Sequence, residues 1–302
     1  MPAVLDPQAT AAALGWAPLV DAIEALLTEG GVQVPERIVM ATTKGAVLFV
    51  MPASDAQVAI TKLITFTPAN AGTGAATIQG DVVVFDVASG ARRLILDGPT
   101  VTARRTAAVS ALAARLLAPR RAAPMLIVGA GVQGRAHLEA FAAVLGVRQF
   151  VIASGRPASA ERLAACAREQ GLQAQTTTDP DAALAHCPLV ATCTPASAVV
   201  LRAPPRKDAF IAAVGAFTPR MVELDAALCR AVAAQGRIVV DTRDAEHEAG
   251  DLLQAGIAVA PLPSLQDVVR HCAPDGSGPV LFKSCGWAGW DLAAARLAMR
   301  SA

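Results

Sequence analysis

Between Met125 and Phe141 the chain reads MLIVGAGVQGRAHLEAF. A short apolar run stands behind Pro124, glycines follow at 129, 131 and 134, and helical spacing begins at once. A G-x-G-x-x-G carries physical meaning where a strand ends and a helix opens, and this one has that setting. Gly129 permits the tight turn, Gly131 lets the backbone approach a pyrophosphate, and Gly134 lets the helix pack close to the strand. Val132 and Gln133 fall in the first turn of the helix, whose free N–H groups and partial positive charge suit phosphate. Three glycines at this register serve little other purpose. The expected ligand is a dinucleotide.

The next apolar strand, Gln149–Ala153, runs into Ser154-Gly155-Arg156. NAD sites usually place Asp or Glu at this point to bind the ribose 2′-hydroxyl. Here no carboxylate repels a 2′-phosphate, Ser154 can donate a hydrogen bond, and Arg156 can supply a charge-assisted one. The expectation is NADP, with NAD as the alternative.

Apolar segments at Met125–Val128, Gln149–Ala153, Gln173–Thr176, Leu189–Thr194, Ala209–Val214 and Arg237–Asp241 alternate with helical patterns such as Ala158–Gln170 and Val222–Ala233. That βαβα order implies an α/β architecture with a parallel sheet covered on both faces. Upstream, helical patterns at Pro7–Leu14 and Pro18–Glu29 give way to period-two segments at Arg37–Thr43, Ala46–Met51, Gln57–Phe66, Ala76–Phe85 and Arg92–Leu96. Turn signals between some of them suggest an antiparallel meander. A helix containing TARRTAAVSALAARLL and the linker APRRAAP close this first zone near residue 118.

Over half of the 302 residues are hydrophobic, and the 17% that are charged are too few for a disordered chain. A net charge of +1 and the lack of a basic stripe make nucleic acid a poor partner. The six cysteines, at 166, 187, 193, 229, 272 and 285, form no CxxC and no metal-type pairing with histidine, so no metal is expected. Free thiols, an amino terminus unlike a secretory signal and no run of membrane-spanning length point to the cytoplasm and away from a membrane.

Three cations sit awkwardly. In QVAITKLITF, alternation puts Lys62 on the face of Val58, Ile60, Ile64 and Phe66. An ammonium there either snorkels out or faces a pocket that holds an anion. Arg104 and Arg105 fall near the first turn of their helix, where a cation opposes the macrodipole and a bound carboxylate would reverse the sign. A surface ion pair would satisfy them equally. Arg37, at a loop–strand boundary, reads as surface.

Taken with QGDVVVFDVASG, GAGVQGRAH, VATCTPAS, VVDTRDAEHEAGDLL and the terminal FKSCGWAGWDLAAA, these residues make the chain resemble the ornithine cyclodeaminase/μ-crystallin family over nearly its whole length. The resemblance implies a Rossmann-type doubly wound parallel sheet over 119–279. It also implies a discontinuous α+β domain, 1–118 with 280–302, that binds substrate and forms a homodimer. By likeness, Arg37, Lys62 and Arg105 hold the substrate's α-carboxylate and adjacent nitrogen, with Lys62 the catalytic residue. Thr194 and Ser284, the latter with Lys283 beside it, match stretches that meet the cofactor.

One departure bears on chemistry. Ornithine cyclodeaminases carry an aspartate where this chain has Phe217, and a phenyl ring accepts no hydrogen bond from an ammonium and cannot act as a base. The μ-crystallin-like ketimine reductases also lack it. The expected activity is therefore NADP-dependent reduction of a small cyclic α-imino acid such as pyrroline- or piperideine-2-carboxylate. Ornithine cyclodeamination and amino-acid dehydrogenation are the alternatives within the family. A dinucleotide-binding protein with little catalysis is the alternative from another class. A SAM-dependent transferase fits the terminal FKS loop less well.

Overall fold

The computed structural model describes residues 3–70, 73–195, 197–271 and 277–301. The chain divides into two compact units, Met1–Arg105 with Trp287–Ala302, and Thr106–Gly286.

The first unit opens with β1 (Ala3–Leu5), α1 (Pro7–Ala13) and α2 (Trp16–Glu29). Asp6 caps α1 by accepting the Ala9 N–H at 2.8 Å, and Pro7 fits its first position. On α2 the residues at helical spacing, Leu19, Val20, Ile23, Leu26 and Leu27, are all buried. Strands β2 (Ile38–Ala41), β3 (Val47–Ser54), β4 (Val58–Phe66), β5 (Ile78–Asp86) and β6 (Arg92–Asp97) form the antiparallel meander that the period-two pattern implied. The sheet order is β1-β6-β5-β4-β3-β2, with β1 a parallel edge strand too short to show a period.

Along β4, Val58, Ile60, Lys62 and Ile64 point inward while Leu63 and Thr65 face out. Lys62 lies opposite Met51 on β3 and Val82 on β5, both buried. Helix α3 (Gly98–Leu117) begins earlier than TARRT suggested. Asp97 accepts the Thr100 N–H at 2.8 Å and the Thr100 hydroxyl as well, a cap that starts the helix at Gly98. Arg104 and Arg105 therefore lie beyond the first turn, out of range of the helix-end charge invoked for them above.

The second unit continues from α3 into β7 (Met125–Val128), α4 (Val132–Leu145), β8 (Gln149–Ala153), α5 (Pro157–Glu169), β9 (Gln173–Thr177), α6 (Pro180–Leu184), β10 (Leu189–Thr192), β11 (Ser197–Leu201), β12 (Phe210–Ala213), β13 (Val222–Leu224), α7 (Ala226–Gln235), β14 (Arg237–Val240), α8 (Gly250–Gln254), α9 (Leu265–His271) and β15 (Val280–Lys283). Seven of these strands form one parallel sheet in the order β14-β15-β12-β10-β7-β8-β9. Every residue of β7, β10, β12 and β15 is buried, as a sheet covered on both faces requires. The chain winds outward in both directions from β7 and β10, so the switch point lies between their carboxyl ends. Open α/β sheets bind ligands there.

Two segments differ from the sequence reading. Val222–Ala233 is not one helix: Val222–Leu224 pairs with β11, and Asp225 then caps α7 through the Ala227 N–H. Val280–Lys283, grouped above with the other domain, is an inner strand of the parallel sheet between β12 and β14. The lysine at its end disguised a buried strand as a loop. The chain closes with α10 (Ala288–Ser301), part of the first unit, which packs on α2, β3 and β4 and buries Trp290, Leu292, Ala293, Ala294, Ala295 and Ala298.

Candidate active site

In the first unit the misplaced lysine has found its anion. Lys62 Nζ lies 2.8 Å from Asp291 Oδ2, and Arg105 Nε donates to Asp291 Oδ1 at 3.3 Å. Lys62 is 1% exposed, Arg105 6% and Asp291 fully buried, so this charge cluster is screened little by solvent. Burial is the main cause that lowers the Lys62 pKa to about 8; Asp291 opposes it, and the guanidiniums of Arg105 and Arg37 push it further down. Arg105 and Arg37, which the resemblance groups with Lys62, thus both act on it. Arg37, half-buried, stands just before β2. Arg104, next to Arg105 in sequence, does something else: it donates to the Leu14 carbonyl at 2.7 Å and stacks 4.0 Å over the Trp16 ring.

Asp291 was missed in the sequence. Its one signal is a carboxylate on the buried, apolar stripe of α10, between Trp290 and Leu292. Two cations, Lys62 and Arg105, share the one carboxylate of Asp291, and the positive charge left over suits a small organic acid.

In the second unit the glycine turn lies at the switch point. Gly129 has φ +111°, and a Cβ there would fall 2.5 Å from the Cys193 carbonyl oxygen. A Cβ on Gly134 would fall 1.9 Å from the Gly129 oxygen. Both positions exclude a side chain by packing alone. Gly131 does not: its φ is −89°, and a Cβ there meets nothing within 4 Å. Its bare backbone leaves room for something outside the fold, the space that close approach of a pyrophosphate needs. Gly131 caps α4 without a side chain, so the N–H groups of Val132, Gln133 and Gly134 open the helix with no side-chain acceptor from the cap. Val132 is 71% exposed at that end. These residues fit a dinucleotide phosphate.

Ser154 follows β8 half-buried, and its Oγ accepts the Arg156 N–H at 3.3 Å, which leaves the hydroxyl proton to donate; Arg156 is exposed. Thr194 and Ser284 are spent differently. The Thr194 N–H and hydroxyl both donate to Glu223 Oε1, at 2.7 and 2.8 Å, while Thr192 Oγ1 and the Gly215 N–H donate to Oε2 at 2.8 and 2.7 Å. Ser284 Oγ donates to Asp241 Oδ2 at 2.8 Å, alongside the Cys285 and Gly286 N–H groups. Both residues thereby hold loops at the carboxyl ends of the sheet. Burial raises the Glu223 pKa, against the pull of Lys283 and the hydrogen bonds it accepts. Burial lowers that of Lys283, but the carboxylate of Asp251, 2.9 Å away, leads the groups that hold it above the usual lysine value. Among the described residues no cluster of His, Cys, Asp and Glu could hold a metal ion.

The sequence profile of the ornithine cyclodeaminase/mu-crystallin family matches residues 10–302. The chain belongs to this family. Among its relatives, Delta(1)-pyrroline-2-carboxylate reductase 2 of Burkholderia ambifaria is 38% identical over 297 residues, 97% of this chain and 94% of the relative. The Delta(1)-pyrroline-2-carboxylate/Delta(1)-piperideine-2-carboxylate reductase of Azospirillum brasilense is 38% identical over 299 residues, 98% of this chain and 94% of the relative. The structure of Thermococcus litoralis Delta(1)-pyrroline-2-carboxylate reductase in complex with NADH and L-proline superposes with a TM-score of 0.85 at 23% identity. That match covers 98% of this chain and 93% of the other, and shows a shared fold.

Phe217 stands where the resemblance to ornithine cyclodeaminases puts an aspartate. Its half-buried ring packs against the apolar core of the second unit. The carboxylates nearest in sequence do not take an aspartate's place, because Glu223 holds the two loops and Asp225 caps α7.

Proposed function

We propose that the protein is an NAD(P)H-dependent reductase of small cyclic α-imino acids, converting a five- or six-membered ketimine carboxylate into the corresponding amino acid. The observation that carries this reading is the buried cluster of Lys62, Arg105 and Asp291 with Arg37 in electrostatic reach. Arg37 and Arg105 hold the α-carboxylate. Lys62 faces the ring nitrogen, polarises the C=N bond and delivers the proton that nitrogen gains on reduction; a pKa of about 8 keeps it protonated at neutral pH and able to give the proton up. When bound, the nicotinamide supplies the hydride that goes to the ring carbon. Gly129, Gly131, Val132, Gln133 and Gly134 receive the pyrophosphate. Thr194 and Ser284 shape the loops that border the cofactor.

The absence of an acid after β8, with Ser154 and Arg156 in its place, favours NADPH over NADH. The first unit is the substrate-binding and dimerising one and the second the dinucleotide-binding one. A homodimer is supported by edge strand β2, where Ile38, Val39 and Met40 are 53%, 56% and 51% exposed. An apolar strand edge of that kind calls for a partner. All the described cysteines are free thiols, which fits the cytoplasm.

The test is a paired-cofactor assay that follows NADPH and NADH oxidation with pyrroline-2-carboxylate and piperideine-2-carboxylate, beside a reaction of ornithine and NAD scored for ammonia. Turnover of a cyclic imino acid with NADPH preferred is the expected result. Ammonia from ornithine without imine reduction would overturn the reading, and saturable NADPH binding without any turnover would recast the protein as a binding protein.

A further inference from the structure

We propose that Asp291 is a positioning residue of the acid site, aiming Arg105 and Lys62 at the two functional groups of the substrate. This rests on the reductase reading above and goes beyond it. The carboxylate divides its two oxygens: Oδ2 takes Lys62 Nζ at 2.8 Å and Oδ1 takes Arg105 Nε at 3.3 Å. A guanidinium held by its Nε–H is left with its end edge, the parallel N–H groups of Nη1 and Nη2, which match the two oxygens of a carboxylate. A lysine held through one of its three protons keeps two for another acceptor or for transfer. One carboxylate thus orients one cation as a carboxylate clamp and the other as a proton carrier.

The anchor is itself rigid. Asp291 is in the first turn of α10, where the helix end favours a negative charge, and it is fully buried. Among the described residues, Met51 and Val82 flank Lys62 on the neighbouring strands and carry no charge, and the charged groups that act on it are Asp291 from α10, Arg105 from α3 and Arg37 ahead of β2. Without a carboxylate at 291, Lys62 and Arg105 would lose the counter-charge they share. Lys62 would then shed its proton at lower pH, because the attraction of Asp291 is what opposes burial.

The test compares wild type, Asp291→Asn and Asp291→Glu across pH 6–10, with kcat/KM for the imino acid, the Kd of L-proline by calorimetry without cofactor, and the Kd of NADPH by fluorescence. Wild type should lose kcat/KM as pH rises through about 8. Asp291→Asn should move that limb down by at least one pH unit, weaken L-proline tenfold or more, and change the NADPH Kd less than twofold. Asp291→Glu keeps the charge but displaces it, so its limb should stay near the wild-type value while L-proline still weakens several-fold. A variant that loses thermal stability yet keeps the wild-type limb and L-proline affinity would overturn the proposal. Should Asp291→Asn fail to fold, wild-type affinity in Asp291→Glu would do the same. Failure of the reductase reading is separate: wild type would then turn over no imino acid, while the L-proline series still reports on Asp291.

Discussion

Gly131→Ala separates what the glycine turn does for the fold from what it does for a ligand. The backbone angles at Gly131, φ −89° and ψ −162°, suit any residue, and an added Cβ meets nothing within 4 Å. Restricting the unfolded chain should leave the protein as stable as before or up to about 1 kcal/mol more so. The pyrophosphate, in contrast, would meet a methyl where it approaches the backbone. Losing one N–H bond to a charged phosphate at about 1.5–3 kcal/mol corresponds to roughly 10- to 150-fold weaker binding. Gly134→Ala should behave in the opposite sense. Its Cβ would lie 1.9 Å from the Gly129 oxygen, so the turn must deform, at about 1–3 kcal/mol or more. NADPH fluorescence titrations and urea unfolding, run on both variants, read the two effects apart. Wild-type NADPH affinity in Gly131→Ala, or a stability loss there as large as in Gly134→Ala, would refute the assignment of that space to a phosphate.

Arg105→Ala should raise the KM for the imino acid strongly and leave NADPH affinity nearly intact; equal loss of both would make Arg105 structural. Arg156→Ala should weaken NADPH selectively, and an unchanged NADPH/NADH ratio of kcat/KM would remove the proposed preference. His137 is fully buried, and that burial lowers its pKa from 6.5 to about 4. The folded state therefore binds fewer protons than the unfolded one between these values, and stability falls as pH drops through 6.5 toward 4, by about 3 kcal/mol in all. Urea unfolding at pH 7 and 4.5 should show that loss in wild type and a smaller one in His137→Gln; the same loss in both would assign it elsewhere.

The parallel unit was legible because its strands are short apolar runs between helical patterns, and because the glycine turn marks the switch point. The lysine in β4 was legible as an anomaly, since strict alternation left it no polar face. Its counter-ion was not: nothing in a periodic pattern connects Lys62 with an aspartate 229 residues away. Thr194 was read at the end of a strand and Ser284 in a loop, but the buried Glu223 and Asp241 that engage their side chains declare themselves only in three dimensions. β15 was hidden by length, for four residues ending in lysine carry too little pattern to distinguish a buried strand from a loop.

The separation of Lys62 from Asp291 also orders events during synthesis. At about 5–20 residues per second on the ribosome, 229 residues correspond to roughly 10–50 s between the appearance of the lysine and of its counter-ion. Over that interval the continuous stretch from Thr106 to Gly286 emerges whole, while the nascent amino-terminal sheet waits without the helix that covers β3 and β4. The cluster of Lys62, Arg105 and Asp291 is thus completed only after the whole second unit has been made, and a ribosome that stalls before residue 291 leaves the two cations without their shared carboxylate.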